Sequence, residues 1–362
     1  MSTIYVHIGF EKTGSTAIQD FLDNNRDVLY HGHNLVHLDC LSNNDHIKLI
    51  GLINPANSEK IYQRLKLNSA QQRQNFKDAF SMKLQKQISN AISSNKNIVI
   101  SSEHLSSYLN SEIEIETFSE LLTIFKKPIK VIAYIRRQDK FILSRYSTWI
   151  KNGGKNDLKV SPNNKILQYA TKLKMWGKVF GNSNLVAKEY NRAKIKDNNI
   201  VSDFLHTIDI QITEGLNVDD KPQNKSLDQK SLFILKELNK HLPLFINGRI
   251  NELRGNIAKE LSELELGDKV ELSKNDSQII LNAFLSENIE LRKQYNIDFV
   301  NEAIEYSNLK QKLEFNDSNN ISKDDLYLVL AKLWERQQKK VLWLINRVNE
   351  LENPESIIDK PL

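Results

Sequence analysis

The chain has 362 residues, 40% hydrophobic and 26% charged, which suffices for one sizeable core or two modest ones and excludes a fibre or an integral membrane protein. Fifty Lys and Arg against 45 Asp and Glu give a net charge of +5, concentrated in residues 60–96 and 124–155, a local basic field that suits a small anionic ligand and not a nucleic acid. A single cysteine, Cys40, excludes an internal disulfide framework and is expected as a small buried thiol. The N-terminal residues carry no secretory signal and no apolar stretch reaches about 18 residues, so the reading is cytoplasmic with no transmembrane segment.

Residues 3–8 form a β-branched and aromatic run closed by Gly9, which predicts a buried strand entering a turn. Residues 16–22 follow with Ala17, Ile18, Phe21 and Leu22 on one helical face. The alternation returns at 97–101 before a helix at 102–110, at 129–135 before a helix at 139–151, and at 184–188 before a helix at 201–205. Residues 60–96 read as a solvated, basic helical face. Strands alternating with helices predict right-handed βαβ units, hence a three-layer α/β fold with a central parallel sheet.

Beyond about residue 225 the strand signals stop, and helical spacing dominates at 227–241, 250–264, 276–294 and 323–351. A polar, turn-rich stretch at 316–322 is the linker, with Ser322 placed to cap the last helix and Asp325 at its third position. The expected organisation is therefore a main domain at 1–310 and a linker with a helical C-terminal extension at 311–362. The apolar stripe of the last helix, from Leu326 through Leu330, Val341 and Leu344 to Val348, packs either on the main domain or on a second copy of the chain.

Gly9-Phe-Glu-Lys12-Thr13-Gly14-Ser15-Thr16 lies between the first strand and the first helix. Backbone amides of such a turn, with the positive end of the helix behind them, form a nest for a tetrahedral anion. Lys12 adds a full charge, and the hydroxyls of Thr13, Ser15 and Thr16 add donors. The order is not that of the nucleoside-triphosphatase P-loop, because the lysine precedes the second glycine. Arg136, at the carboxyl end of the 129–135 strand, is placed to grip a second phosphate with its planar fork. Ser144, eight residues later on the following helix, points back toward the same anion. Arg137 is expected to pair with a surface carboxylate.

The Gly9–Thr16 loop resembles the 5′-phosphosulfate loop of sulfotransferases that use 3′-phosphoadenosine 5′-phosphosulfate (PAPS), with the form H-x-G-x-x-K-T-G-[ST]-T of the bacterial, carbohydrate-type branch. The Arg136 and Ser144 pair is similar to the family's grip on the 3′-phosphate. Looser resemblances are Asn224-Lys225-Ser226-Leu227, with Lys225 as an extra phosphate contact, and residues 188–205, where Lys188 stands in place of the usual arginine. Together they span about residues 3–300. The resemblance implies a P-loop-like fold, PAPS as donor with 3′-phosphoadenosine 5′-phosphate as product, and a glycan or glycolipid acceptor sulfated on a hydroxyl or amine.

Sulfuryl transfer asks the protein to align the attacking and leaving oxygens and to neutralise the leaving phosphate. Lys12 fits that role and this logic requires no metal. A general base is still needed for the acceptor, and the candidates are Glu103, His104 and His46. Glu103 and His104 sit in Ser101-Ser-Glu-His-Leu-Ser106, which follows the second predicted strand and resembles the family's S-S-E-x-[LF]-S segment. His46 opens a helix downstream of the loop. His7, on the first strand, reads as a core histidine. Two alternatives stay open: a nucleotide-binding module without transfer activity, and a nucleotide kinase with an altered loop, which magnesium-dependent ATP hydrolysis would reveal.

Overall fold

Ile4, Tyr5, Val6 and His7 all bury their side chains, as expected of a strand covered by helices on both faces of a parallel sheet. In the computed structural model, which describes residues 2–41, 46–56, 58–158, 164–212, 215–218, 226–300 and 321–352, this run is β1 (Ile4–His7), the middle strand of five. β2 (Leu35–His37), β3 (Asn97–Ser101), β4 (Ile129–Ile135) and β5 (Leu185–Glu189) complete the sheet in the order β2-β3-β1-β4-β5. Every pairing is parallel. Four of the strands lie within a residue or two of their expected positions. The three-residue β2 is too short to show a period, and the sequence reading misses it.

The connection leaving β1 runs toward β2, and the one leaving β4 runs to β5 on the other side. The carboxyl ends of β1 and β4 therefore flank the topological switch point, where open α/β sheets bind their ligands. On one face of the sheet Tyr5, Val99, Ile132 and Tyr134 share a core with Ile18 and Leu22 of the helix Ser15–Asn24 and Phe204 of the helix Ile200–Thr207. Within that layer Tyr134 Oη donates to Asp203 Oδ2 at 2.7 Å, and Lys188 Nζ pairs with the same oxygen at 2.5 Å. Burial pushes the Asp203 carboxyl up, but Lys188, the Lys196 amide and Tyr134 outweigh it and hold the group below its ordinary range. Lys188 is thus engaged inside the fold.

The chain divides into two units. The first comprises Met1–Ile142, Val160–Pro222 and Lys274–Lys310; the second comprises Leu143–Lys159, Gln223–Ser273 and Gln311–Leu362. Tyr146, Ile150, Leu235, Ile257, Leu261 and Val329 form the core of the second. Two helices differ from expectation. Residues 250–264 are not one helix: Phe245–Ile246 pairs antiparallel with Arg249–Ile250 around Asn247-Gly248, and only Ile257–Ser262 is helical. Asn247 and Gly248 have φ of 51° and 76°, the left-handed pair that an Asn-Gly hairpin turn requires, and this local chemistry overrides helical spacing. The 276–294 helix breaks into Lys274–Ala283 and Leu285–Tyr295 at Phe284, whose ring is buried at the break.

The last helix, Lys323–Glu352, begins with the expected reciprocal cap. Ser322 Oγ accepts from the Asp325 amide at 3.0 Å, and Asp325 Oδ2 accepts from the Ser322 amide at 2.8 Å. Linker residues 316–320 lie outside the described residues. Cys40 is buried, as expected. No helix among the described residues is long and apolar enough to cross a membrane.

Candidate functional site

Between β1 and the first helix the backbone takes the left-handed conformation three times, at Gly9 (φ 50°), Lys12 (φ 67°) and Gly14 (φ 84°). The conformation costs nothing at glycine but about 1–2 kcal/mol at Lys12, local strain of the kind held at ligand-binding loops. Thr13 is turned inward and fully buried, its hydroxyl donating to the Phe10 carbonyl at 2.6 Å, so it shapes the loop from within. The first helix starts at Gly14 with no side-chain cap and no acidic residue in its first turn, which leaves its positive end uncompensated. Ser15 Oγ is buried and meets no hydrogen-bond partner among the described residues. A Cβ at Gly9 would stand 2.7 Å from that oxygen and 3.2 Å from the Glu103 backbone, so the loop closes only around a glycine. Thr16, one residue on, is exposed.

β4 delivers Arg136 to the same place. Its Nη1 donates to the Lys12 carbonyl at 3.2 Å, and its guanidinium carbon lies 5.6 Å from the centre of the Tyr190 ring. Burial lowers its pKa from the ordinary arginine value, because the charge is partly desolvated, and no carboxylate pairs with it among the described residues. Arg137 behaves oppositely. It forks onto Asp139 with two bonds of 2.8 Å, and both side chains are buried, so the partner is a core carboxylate and not the surface one expected. Ser144, on the helix Gln138–Lys151, falls within the second unit and is partly exposed. Lys225 lies outside the described residues.

β3 leads to the third element, the helix Glu103–Tyr108. Gln19 Nε2, from the buried face of the first helix, donates to Glu103 Oε2 at 2.9 Å. Burial raises the Glu103 pKa, but the Gln19 bond, the field of His104, its own backbone amide and the field of His46 together bring it below the ordinary glutamate value. His46 is buried, and its Nδ1–H donates to the Leu41 carbonyl at 3.0 Å, leaving Nε2 as its acceptor nitrogen. His104 packs edge-on against Tyr108 on the same helix. Burial lowers the pKa of both histidines, against an opposing pull from Glu103. The helix is tied down at its far end by Lys172, whose buried ammonium donates to the Ser106 carbonyl at 2.5 Å and to Asn110 Oδ1 at 2.9 Å. Burial pushes the Lys172 pKa down to about 8.

His7 is a core histidine, hydrogen-bonded to Ser101 Oγ at 2.8 Å through Nδ1 and lowered by burial to about 4. His7, His46 and His104 are therefore neutral at pH 7 in the fold, and the unfolded chain takes up more protons than the folded one as pH falls below 6.5. Stability is complete above about pH 6.5 and declines as pH falls toward the folded values. His7 alone contributes about 3 kcal/mol over the full window, and Glu103 acts in the same direction. Urea unfolding at pH 7.5 and pH 5 is expected to show a lower midpoint at pH 5, with His7→Gln removing much of the difference; equal midpoints would refute the account.

Lys12, Gly14, Ser15, Arg136 and Glu103 thus converge at the switch point. Gln19 and Tyr190 belong to the same place and were not anticipated. A polar residue on the apolar face of the first helix is the signal that points to Gln19, and an aromatic just past the end of β5 the one that points to Tyr190. No family model matches the chain. A protein from Archaeoglobus fulgidus described as uncharacterized is 28% identical over 151 residues, 41% of this chain, and the match spans 39% of that protein's length. A solved sulfotransferase structure from Alicyclobacillus acidocaldarius is similar with a TM-score of 0.36 at 10% identity, over 83% of this chain and 97% of that one.

Proposed function

We propose that the chain is a sulfotransferase that moves a sulfuryl group from PAPS to a hydroxyl or amine of a glycan or glycolipid. The observation that carries this reading is the Arg136–Lys12 bond. It joins two cationic anion grips across the ends of β1 and β4, and the guanidinium has no carboxylate partner among the described residues. An arginine in that state is poised for a phosphate, which its fork matches.

The residues fit the nucleotide. Ser15 Oγ is an orphaned buried donor, the first helix presents uncapped amides, and the Gly9 turn leaves no room for a side chain. The loop from Lys12 to Thr16 would hold the 5′-phosphosulfate and Arg136 the 3′-phosphate. PAPS supplies the sulfuryl group and departs as 3′-phosphoadenosine 5′-phosphate. Lys12 neutralises the charge that gathers on the leaving phosphate, and Glu103, ionised at neutral pH and oriented by Gln19, takes the acceptor's proton. His104 and His46 are the alternative bases. The glycan follows from the resemblance of the loop alone.

Calorimetry and a thermal melt with 3′-phosphoadenosine 5′-phosphate test the reading, with ATP and magnesium in parallel. At about a hundredfold over the dissociation constant the ligand stabilises by roughly 2.7 kcal/mol, a shift of several degrees or less for a chain of this size. A shift with the 3′-phosphorylated nucleotide alone is expected. A shift with ATP alone, or none, ends the proposal.

A further inference from the structure

Leu330, Trp334, Gln337, Val341, Leu344 and Val348 follow one another along the last helix at spacings of four and three. Trp334, Val341 and Val348 form one set repeating every seven residues, and Leu330, Gln337 and Leu344 form the other. A seven-residue apolar repeat is the seam of a left-handed coiled coil. The five apolar members are between 40% and 68% exposed, and every residue from Gln337 to Val348 is exposed.

The helix has another face for its own unit. Val329 is buried and Leu333 packs beside it, while Lys332 pairs with Glu263 at 3.2 Å and Arg336 with Glu260 at 3.3 Å. These contacts hold the first half against the helix Ile257–Ser262 and leave the seam turned outward. If each exposed side chain offers roughly half of the 150–250 Å² that a large one carries, the seam with neighbouring Ile345 presents on the order of 600 Å² per copy. A pair then buries on the order of 1,200 Å², which is what a specific interface needs.

We propose that this seam pairs with the same seam of a second copy of the chain as a parallel two-stranded coiled coil. Val341 and Val348 in one set with Leu330 and Leu344 in the other is the arrangement that favours two parallel strands, and Gln337 adds one polar layer to the seam. Six Lys and Arg against five Asp and Glu over residues 323–352 make the helix nearly neutral, unlike the cationic helices that lie on anionic membranes.

Sedimentation of the full chain at micromolar concentration is expected to give twice the chain mass. Val341→Asp and Leu344→Asp are expected to halve it, and Trp343→Ala, which is off the seam, to leave it unchanged. Circular dichroism would verify that the variants stay folded. Val348→Cys in a Cys40→Ser background is expected to form an interchain disulfide in air, since a parallel pair places the two residues opposite each other. A monomeric parent chain, or a dimer that both aspartate variants leave intact, overturns the pairing, and a dimer in which Val348→Cys fails to cross-link overturns its parallel sense. A monomer that co-sediments with phosphatidylcholine–phosphatidylglycerol vesicles and loses this in Val341→Asp assigns the seam to a membrane surface instead.

Discussion

Arg136→Ala is expected to abolish the stabilisation by 3′-phosphoadenosine 5′-phosphate while leaving the ligand-free protein at least as stable as the parent. The two halves of this result have separate causes. A guanidinium that forks onto a phosphate makes two charge-assisted bonds, each worth about 1.5–3 kcal/mol, so its loss weakens binding by about 3 kcal/mol or more, on the order of a hundredfold in Kd. In the free protein the same group is a partly desolvated cation that donates to the Lys12 carbonyl. Deleting it forfeits about 1 kcal/mol of hydrogen bonding and relieves a desolvation cost of similar or larger size. Arg136→Lys keeps the charge without the fork and should fall between. Lys12→Ala should weaken the nucleotide as well. A ligand-free Arg136→Ala protein that melts well below the parent with nucleotide affinity intact would make Arg136 a structural residue and remove the second anion grip.

The sequence separates the two adjacent arginines after β4, Arg136 toward an anion and Arg137 toward a carboxylate, and only the fold shows that this carboxylate is Asp139, buried in the core. The strands were legible because parallel strands buried on both faces read as unbroken apolar runs, and the loop was legible because Gly, Lys and hydroxyl residues at a strand end have one common chemical use. Sequence spacing says nothing of contacts through space. Gln19 reaches Glu103 across 84 positions and Lys172 reaches Ser106 across 66, so neither partnership has a local signal. The hairpin at 245–250 is a different case. Its Asn-Gly signal is local and strong, and competes with a helical period that the structure does not honour.

Glu103→Gln is expected to lower transfer on the order of a hundred- to ten-thousand-fold while nucleotide affinity stays within about twofold of the parent. The amide keeps the size of the side chain, and Gln19 still has an oxygen to donate to, so the loop beside Gly9 keeps its support. What disappears is the anionic oxygen that takes the proton. The pH profile separates this assignment from the histidines. With its pKa held below the ordinary glutamate value, Glu103 is ionised throughout the range in which the fold is stable, so transfer should be nearly flat from about pH 8 down to about pH 5. A catalytic His104 or His46 would instead impose a descending limb below pH 6.5, where each begins to take up a proton. If that limb appears in the parent and persists in a still-active Glu103→Gln, the base is a histidine. His104→Gln and His46→Gln then tell which, since only the variant of the true base loses both the rate and the limb.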